Sequence, residues 1–162
     1  MTQFSWEQLV RLSVDRGLWI STAESCTGGY ISSRITDVPG ASECFKGAII
    51  SYSNEVKADV LGVSPETLRE YGSVSRETAL EMSLGALKEL DCDLSAGVTG
   101  IAGPSGGSDE KPVGTVHISV CKKSGYERSE SFIFNGLSRV EFKKEVSKKA
   151  LDMLMLAALE GR

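Results

Sequence analysis

The chain has a single histidine, His117, among its 162 residues. Metal centres built on imidazole are therefore disfavoured, since such sites combine several His, Cys and carboxylate ligands at set spacings. The four cysteines, Cys26, Cys44, Cys92 and Cys121, are scattered and contain no Cys-x-x-Cys pair. That distribution supports neither a zinc knuckle nor a disulfide framework, and it reads as reduced thiols in a cytoplasmic protein. No apolar run approaches the roughly 20 residues that span a bilayer. The start, Met1 to Trp6, lacks the basic residues and apolar stretch of a signal peptide. Cationic surplus is absent too: 22 acidic side chains stand against 18 basic ones, a net charge of −4. An acidic surface repels a phosphate backbone, so broad nucleic-acid binding is not expected, although a local pocket for one phosphate stays open. The expectation is a cytoplasmic domain with no metal, no cofactor, no nucleic acid and no membrane among its partners.

What is present is ordinary globular composition, 41% apolar and 25% charged, at a length that closes one core. We expect residues 1–162 to form a single domain. Helical and extended signals alternate throughout. Ser5 and Gln8 make a capping box before Trp6, Leu9, Val10 and Leu12, with a stop at Gly17. Leu18 to Ala23 reads as a strand, Tyr30 to Thr36 as a helix, and Gly47 to Ser53 as a second strand. Asn54 is expected to cap a short helix carrying Lys57, and Pro65 to open another. A longer helix starts near Ser75, where Ala79, Met82, Ala86 and Leu90 recur at helical spacing. Leu94 to Thr99 is a third strand. Gly114 to Val120 and Tyr126 to Phe134 form a hairpin, and a last helix opens with Ser138 and Glu141 as a second capping box. The pattern is α/β: three layers, α/β/α, around a mixed, mostly parallel sheet of about five strands, with an antiparallel pair late in the chain.

In open α/β sheets, ligands collect where strands end and helices begin. Three loops at such places carry unusual polar chemistry. The first is Ala23-Glu24-Ser25-Cys26-Thr27-Gly28-Gly29, where a hydroxyl nucleophile would lie close to backbone N–H groups at a helix start. The bland alternative is a serine and a threonine that merely cap a helix. The second is Tyr52-Ser53-Asn54-Glu55-Val56-Lys57. A lysine near a helix start faces the positive end of the dipole, a poor place for a charge and a better one for a neutral amine. A solvated lysine whose stem covers the helix is the competing reading. The third, Thr99-Gly100-Ile101-Ala102-Gly103-Pro104-Ser105-Gly106-Gly107, is not a P-loop, because no Gly-Lys-Ser/Thr closes it. Its glycines suit contact with a phosphate or ribose, or else make a flexible crossover. The Tyr52 to Lys57 spacing and the missing Gly-x-Gly-x-x-Gly exclude nicotinamide-dependent redox chemistry.

Taken in order, the motifs are Ala-Glu-Ser-Cys-Thr-Gly-Gly, Pro39-Gly40-Ala41-Ser42, Tyr-Ser-Asn-Glu-Val-Lys with Leu61-Gly62-Val63, Gly72-Ser73-Val74-Ser75, Thr-Gly-Ile-Ala-Gly-Pro-x-Gly-Gly, and Lys111-Pro112-Val113-Gly114-Thr115-Val116. This set resembles the CinA C-terminal family, whose activity is deamidation of nicotinamide mononucleotide to nicotinate mononucleotide. The resemblance implies a three-layer domain with a mixed five-stranded sheet, a homodimer, and a Ser/Lys hydrolase that uses no metal. On that pattern Ser25 is the nucleophile, Lys57 the base and Tyr52 an accessory hydroxyl. The substrate and its oxyanion would be held by Glu24, Thr27, Gly28, Gly29, Ser42, Thr99, Gly100, Ala102, Gly103 and Arg139. In many relatives a larger N-terminal domain precedes this one; here the domain is expected to stand alone. The C-terminal third departs from the pattern. Relatives carry Gly-x-Arg and a second arginine four residues later, whereas Arg139 is followed by Lys143, which lacks the bidentate fork.

The implied mechanism has neutral Lys57 take the Ser25 proton, with N–H groups around Thr27 and Gly28 holding the oxyanion. A thiol rival would use Cys26 with His117 as base. A rival of another class is a non-catalytic nucleotide-binding or regulatory domain that keeps the glycine-rich loops. The lysines Lys143, Lys144, Lys148 and Lys149 are read as the solvent face of the last helix rather than as a nucleic-acid patch.

Overall fold

The first helix, α1 (Trp6–Arg16), begins at the expected capping box: Ser5 accepts from the Gln8 N–H, and the Gln8 side chain accepts from the Ser5 N–H. It stops at Gly17, whose φ of 63° is the left-handed conformation that glycine adopts without strain. The computed structural model describes residues 3–161, so Met1, Thr2 and Arg162, the ends of the expected 1–162 domain, lie outside the described residues. After α1 come β1 (Ile20–Glu24), α2 (Tyr30–Thr36), a 3-10 turn (Ala41–Glu43), β2 (Phe45–Ile50), α3 (Asn54–Asp59), α4 (Pro65–Tyr71) and α5 (Arg76–Glu89). Then follow β3 (Leu94–Gly100), β4 (Thr115–Lys122), β5 (Glu127–Ile133) and α6 (Arg139–Leu159).

The five strands form one sheet in the order β2-β1-β3-β4-β5. β1 pairs in parallel with both β2 and β3, and β4 runs antiparallel to β3 and to β5. Four of five strands therefore point one way, although the pairings divide evenly between parallel and antiparallel. α1, α2 and α6 bury Leu9, Ile31, Val146 and Leu154 against Ile20, Ala96 and Val98 on one face of the sheet. On the other face Met82 and Ala86 of α5 pack with Leu61, Val63 and Ala23. This is the three-layer α/β/α architecture.

Some details differ from the sequence reading; the first strand, read as Leu18 to Ala23, begins two residues later and takes in Glu24. The second strand begins two residues earlier and ends at Ile50, which frees Ser51, Tyr52 and Ser53 to turn away from the sheet edge. The cap of α3 is Ser53, not Asn54: Ser53 is extended, at φ −88° and ψ 160°, and its hydroxyl accepts from the Val56 N–H.

From β1 the chain passes to β2 on one side and later to β3 on the other. The carboxyl end of β1 is thus a topological switch point, the place where α/β sheets open a crevice. Ser25 is the first residue beyond it.

Candidate active site

Ser25 is fixed by backbone pairing that outlasts the strand, since its N–H donates to the Val98 carbonyl at 3.0 Å. On the other side of β1, the Ser51 N–H donates to the Glu24 carbonyl at 2.9 Å. These two bonds carry the ends of β1, β2 and β3 to a common level, and α3 then delivers Lys57 above them. Lys57 is only 1% exposed, and its Nζ lies 3.0 Å from Ser25 Oγ. The same nitrogen donates to the carbonyls of Ser51 at 2.7 Å and Tyr52 at 3.2 Å. Among the described residues no carboxylate pairs with it. Burial accordingly pushes the Lys57 amino group below the usual lysine range. A neutral amine has two N–H donors and one lone pair. With two carbonyls taking the donors, the lone pair is left for the Ser25 hydroxyl.

Glu24, expected at the substrate surface, is fully buried on the α2 side of the sheet. Its carboxylate accepts from five donors: the hydroxyls of Thr22 and Thr27 and the N–H groups of Gly29, Ile31 and Ser32. Those N–H groups are the free donors of the α2 N-terminus, which otherwise attract an anionic ligand. Glu24 is the internal anion of this helix, so neither it nor Gly29 N–H is available to substrate. Thr27 is buried, and its hydroxyl is engaged by Glu24. Gly28 N–H donates back to the Ser25 carbonyl at 3.1 Å, which removes it as an oxyanion donor. The Thr27 N–H has no acceptor among the described residues and remains the donor of this turn.

Ser25 and Lys57 form the floor of a cleft of about 230 Å³. Tyr52 and Arg139 line its mouth; one wall is the α4–α5 turn at Ser73 and Val74, and the other is the β3–β4 loop at Gly100, Ala102, Gly103, Ser105 and Gly106. Thr99 also faces the cleft, with its hydroxyl donating to the Ser73 carbonyl at 2.7 Å. Arg139, the first residue of α6, donates to the Gly103 carbonyl at 2.6 Å and approaches the Tyr52 hydroxyl at 3.4 Å. The side chain of Tyr52 is largely exposed, and within the chain it meets Arg139 rather than Ser25 or Lys57. Its backbone carbonyl is what reaches Lys57. Gly103 and Gly107 pack against Val113, where an added Cβ would collide, so the glycines of this loop serve its own packing first. Their second consequence is that the N–H groups of Ala102, Gly103 and Gly106 have no acceptor among the described residues.

Ser42 does not join the site. It lies on the 3-10 turn and lines a separate surface depression with Thr36, Pro39 and Phe45. His117 sits on β4 with Nδ1 2.7 Å from the Ser131 hydroxyl, and does not line the cleft, so a Cys26–His117 pair has no geometric basis. Cys26 is buried in the core, which pushes its thiol up to about 12 and opposes thiolate formation. Lys143 Nζ lies beside Gly28, 3.7 Å from the place a Cβ there would occupy, so the residue in the second-arginine position does reach the Ser25 turn. Among the described residues no three of His, Cys, Asp and Glu gather as a metal site, and no helix is long and apolar enough to cross a membrane. Sequence reasoning missed the Ser51 carbonyl, a main-chain group without a residue signature, and gave no role to Ser73, Val74 or Lys111 despite their motifs.

The model of the CinA C-terminal domain family matches residues 3–158. A CinA-like protein of Fervidobacterium nodosum is 48% identical over 143 residues, 88% of this chain and 35% of that protein. A CinA-like protein of Leptospira borgpetersenii is 53% identical over 119 residues, 74% of this chain and 28% of that protein. The chain therefore spans about a third of the length of the curated relatives it matches. Among solved structures, the competence/damage inducible protein CihA from Agrobacterium tumefaciens superposes with a TM-score of 0.89 at 38% identity, covering 99% of both chains. A CinA superfamily protein from Escherichia coli gives 0.87 at 30% identity, covering 96% of this chain and 91% of that one.

Proposed function

Since the chain belongs to the CinA C-terminal domain family, we propose that it is an amidohydrolase that converts nicotinamide mononucleotide and water to nicotinate mononucleotide and ammonia. The observation that carries the reading is the buried Lys57 amine, 3.0 Å from Ser25 Oγ and oriented by two backbone carbonyls. In the reaction, neutral Lys57 accepts the hydroxyl proton as Ser25 Oγ bonds to the carboxamide carbon. The oxyanion is held by the Thr27 N–H. The C–N bond breaks as Lys57 returns its proton to the leaving nitrogen. Water, deprotonated by Lys57, then attacks the ester and restores Ser25, releasing the carboxylate. No metal or cofactor enters these steps.

Arg139 stands where it can add charge to the grip on the phosphate, alongside the free N–H groups of Ala102, Gly103 and Gly106. A second copy of the chain is part of the proposal: Ile50 and Val140 are exposed apolar side chains at the end of β2 and the start of α6. A cytoplasmic setting fits four unpaired, buried cysteines. Ammonia release from the mononucleotide, its riboside and the dinucleotide by purified protein tests the activity. Turnover of the mononucleotide that disappears in Ser25→Ala is the expected outcome, and no release from any of the three removes the reading.

A further inference from the structure

The cleft has two walls that belong to different parts of the chain, and one side chain bridges them. Lys111 lies at the far end of the β3–β4 loop, in a turn closed by two bonds: Ser108 N–H to the Lys111 carbonyl at 2.9 Å, and Lys111 N–H to Ser108 Oγ at 3.1 Å. From that turn its Nζ crosses to the other wall and donates to the carbonyl of Tyr71 at 2.5 Å. Tyr71 ends α4, where carbonyls lack intrahelical partners and the dipole is negative, so an ammonium group is well matched to the place. The next residues, Gly72, Ser73 and Val74, lead directly into the cleft. Lys111 Nζ also lies 3.3 Å from the position of a Gly72 Cβ, so a side chain at 72 would press on the ammonium.

Among the described residues, the loop's other hydrogen bonds run within itself, to its own strands, to Phe134 after β5 and to α6. Gly114 N–H donates to Ile101 O at 2.8 Å, Ile101 N–H to Thr115 O at 2.8 Å, and Arg139 holds Gly103 O. Toward Gly72–Val74, the other hydrogen bond from this side among the described residues is Thr99 Oγ1 on the Ser73 carbonyl, at the base of the loop. We infer that Lys111 is a positioning residue that sets the width of the substrate cleft by clamping the β3–β4 loop to the α4–α5 turn. It touches neither Ser25 nor Lys57, which are held by β1, β2 and α3. The clamp therefore governs how substrate is gripped and not the proton transfer. The kinetic part of this inference rests on the amidohydrolase reading; the mechanical part does not.

The test compares the intact protein with Lys111→Met, which keeps the stem and removes the donor, and Lys111→Arg, which keeps a donor of similar reach. Amide hydrogen exchange over residues 102–107 and 72–75 is expected to speed up in Lys111→Met and to return toward the parent rate in Lys111→Arg. With nicotinamide mononucleotide, Lys111→Met is expected to raise KM by roughly three- to tenfold while kcat stays within about twofold. Labelling of Ser25 by a small fluorophosphonate is expected to keep its rate, since the dyad is untouched. Unchanged exchange in Lys111→Met, no recovery in Lys111→Arg, or a fall in kcat at constant KM would each overturn the clamp. If the unaltered protein releases no ammonia, the amidohydrolase reading fails, and the exchange arm alone decides whether the clamp stands.

Discussion

Two glycine-bearing loops meet at the cleft, and they are built on opposite principles. In the Ser25 turn the donors face inward: Gly29, Ile31 and Ser32 give their N–H groups to Glu24, and Gly28 gives its own to the Ser25 carbonyl. In the β3–β4 loop the glycines admit Val113 between them, and the N–H groups of Ala102, Gly103 and Gly106, residues that line the cleft, have no acceptor among the described residues. The first loop is rigid around a reactive hydroxyl; the second offers an open row of donors. A glycine-rich segment is therefore not a phosphate loop by composition. What decides is whether the protein already supplies an anion to its donors. At the Ser25 turn it does.

The comparison breaks most sharply between neighbours in the sequence. Ser25→Ala is expected to lower turnover by at least about a thousandfold and to change the melting temperature much less than Glu24→Ala. Among the described residues its hydroxyl makes a single hydrogen bond, to Lys57, whose amine keeps its two backbone carbonyls. Glu24→Ala is expected to cost about 3 kcal/mol by leaving buried donors without an acceptor, a fall of about 6–12 °C in Tm. Paired thermal melts and ammonia assays separate the two roles. A stable, active Glu24→Ala protein would show that the helix start does not need its internal anion.

Lys57 is the next largest effect. Lys57→Met is expected to reduce kcat by about 100- to 10,000-fold, and its stability carries a second signature. Burial lowers the folded-state pKa of this lysine below the usual range, so between that value and the unfolded value of about 10.4 the unfolded chain binds the extra proton. The stability of the parent relative to Lys57→Met therefore rises with pH across that window, and is lowest below it, where folding must bury an ammonium. The rate of the parent follows the same group, rising with pH and levelling off before the ordinary lysine range. A rate limb that appears only above about pH 10 would remove neutral Lys57 as the base.

Much of this was legible in the residues. Both capping boxes, the Gly17 stop and the helix Tyr30–Thr36 rest on local hydrogen bonding and steric rules, which sequence reports directly. Ser25 and Lys57 were legible as candidates because each is odd for its place: a hydroxyl at a strand end beside a helix start, and a lysine near the start of another helix. Glu24 was misread for a long-range reason. A carboxylate beside a nucleophile looks like chemistry until the sheet twists it onto the α2 side and the helix start encloses it. Ser42 failed because a shared motif does not fix distance, and the 3-10 turn leaves it outside the cleft. The Ser51 and Tyr52 carbonyls had no signal at all, since every residue carries one.

Arg139 tests the donor-rich side of the comparison at intermediate size. Its bond to the Gly103 carbonyl ties it to the loop, its second guanidinium nitrogen approaches the Tyr52 hydroxyl, and the residue lines the cleft. Arg139→Ala is expected to weaken mononucleotide binding by about ten- to a hundredfold, as loss of one or two charge-assisted bonds implies. The riboside, which lacks phosphate, is expected to lose only the share due to loop loosening, about threefold or less. Equal losses for the two substrates in parallel KM measurements would assign Arg139 to the loop alone.

The smallest expected effect lies next to the largest. Cys26 follows Ser25 directly and also lines the cleft, yet only Ser25 Oγ bonds to Lys57, while Cys26 is buried and belongs to the core cluster with Ile31, Ile35 and Val98. Burial dominates its titration and pushes the thiol up to about 12, which opposes thiolate formation at neutral pH. Cys26→Ala removes one sulfur from a packed region, a change expected to cost about 1–2 kcal/mol and to alter kcat by less than about threefold. Iodoacetamide is expected to modify Cys26 far more slowly in the folded protein than in urea, with activity retained. Loss of turnover in Cys26→Ala while Ser25→Ala stays active would transfer the nucleophile from the hydroxyl to the thiol, and with it the reason for a buried, unpaired lysine.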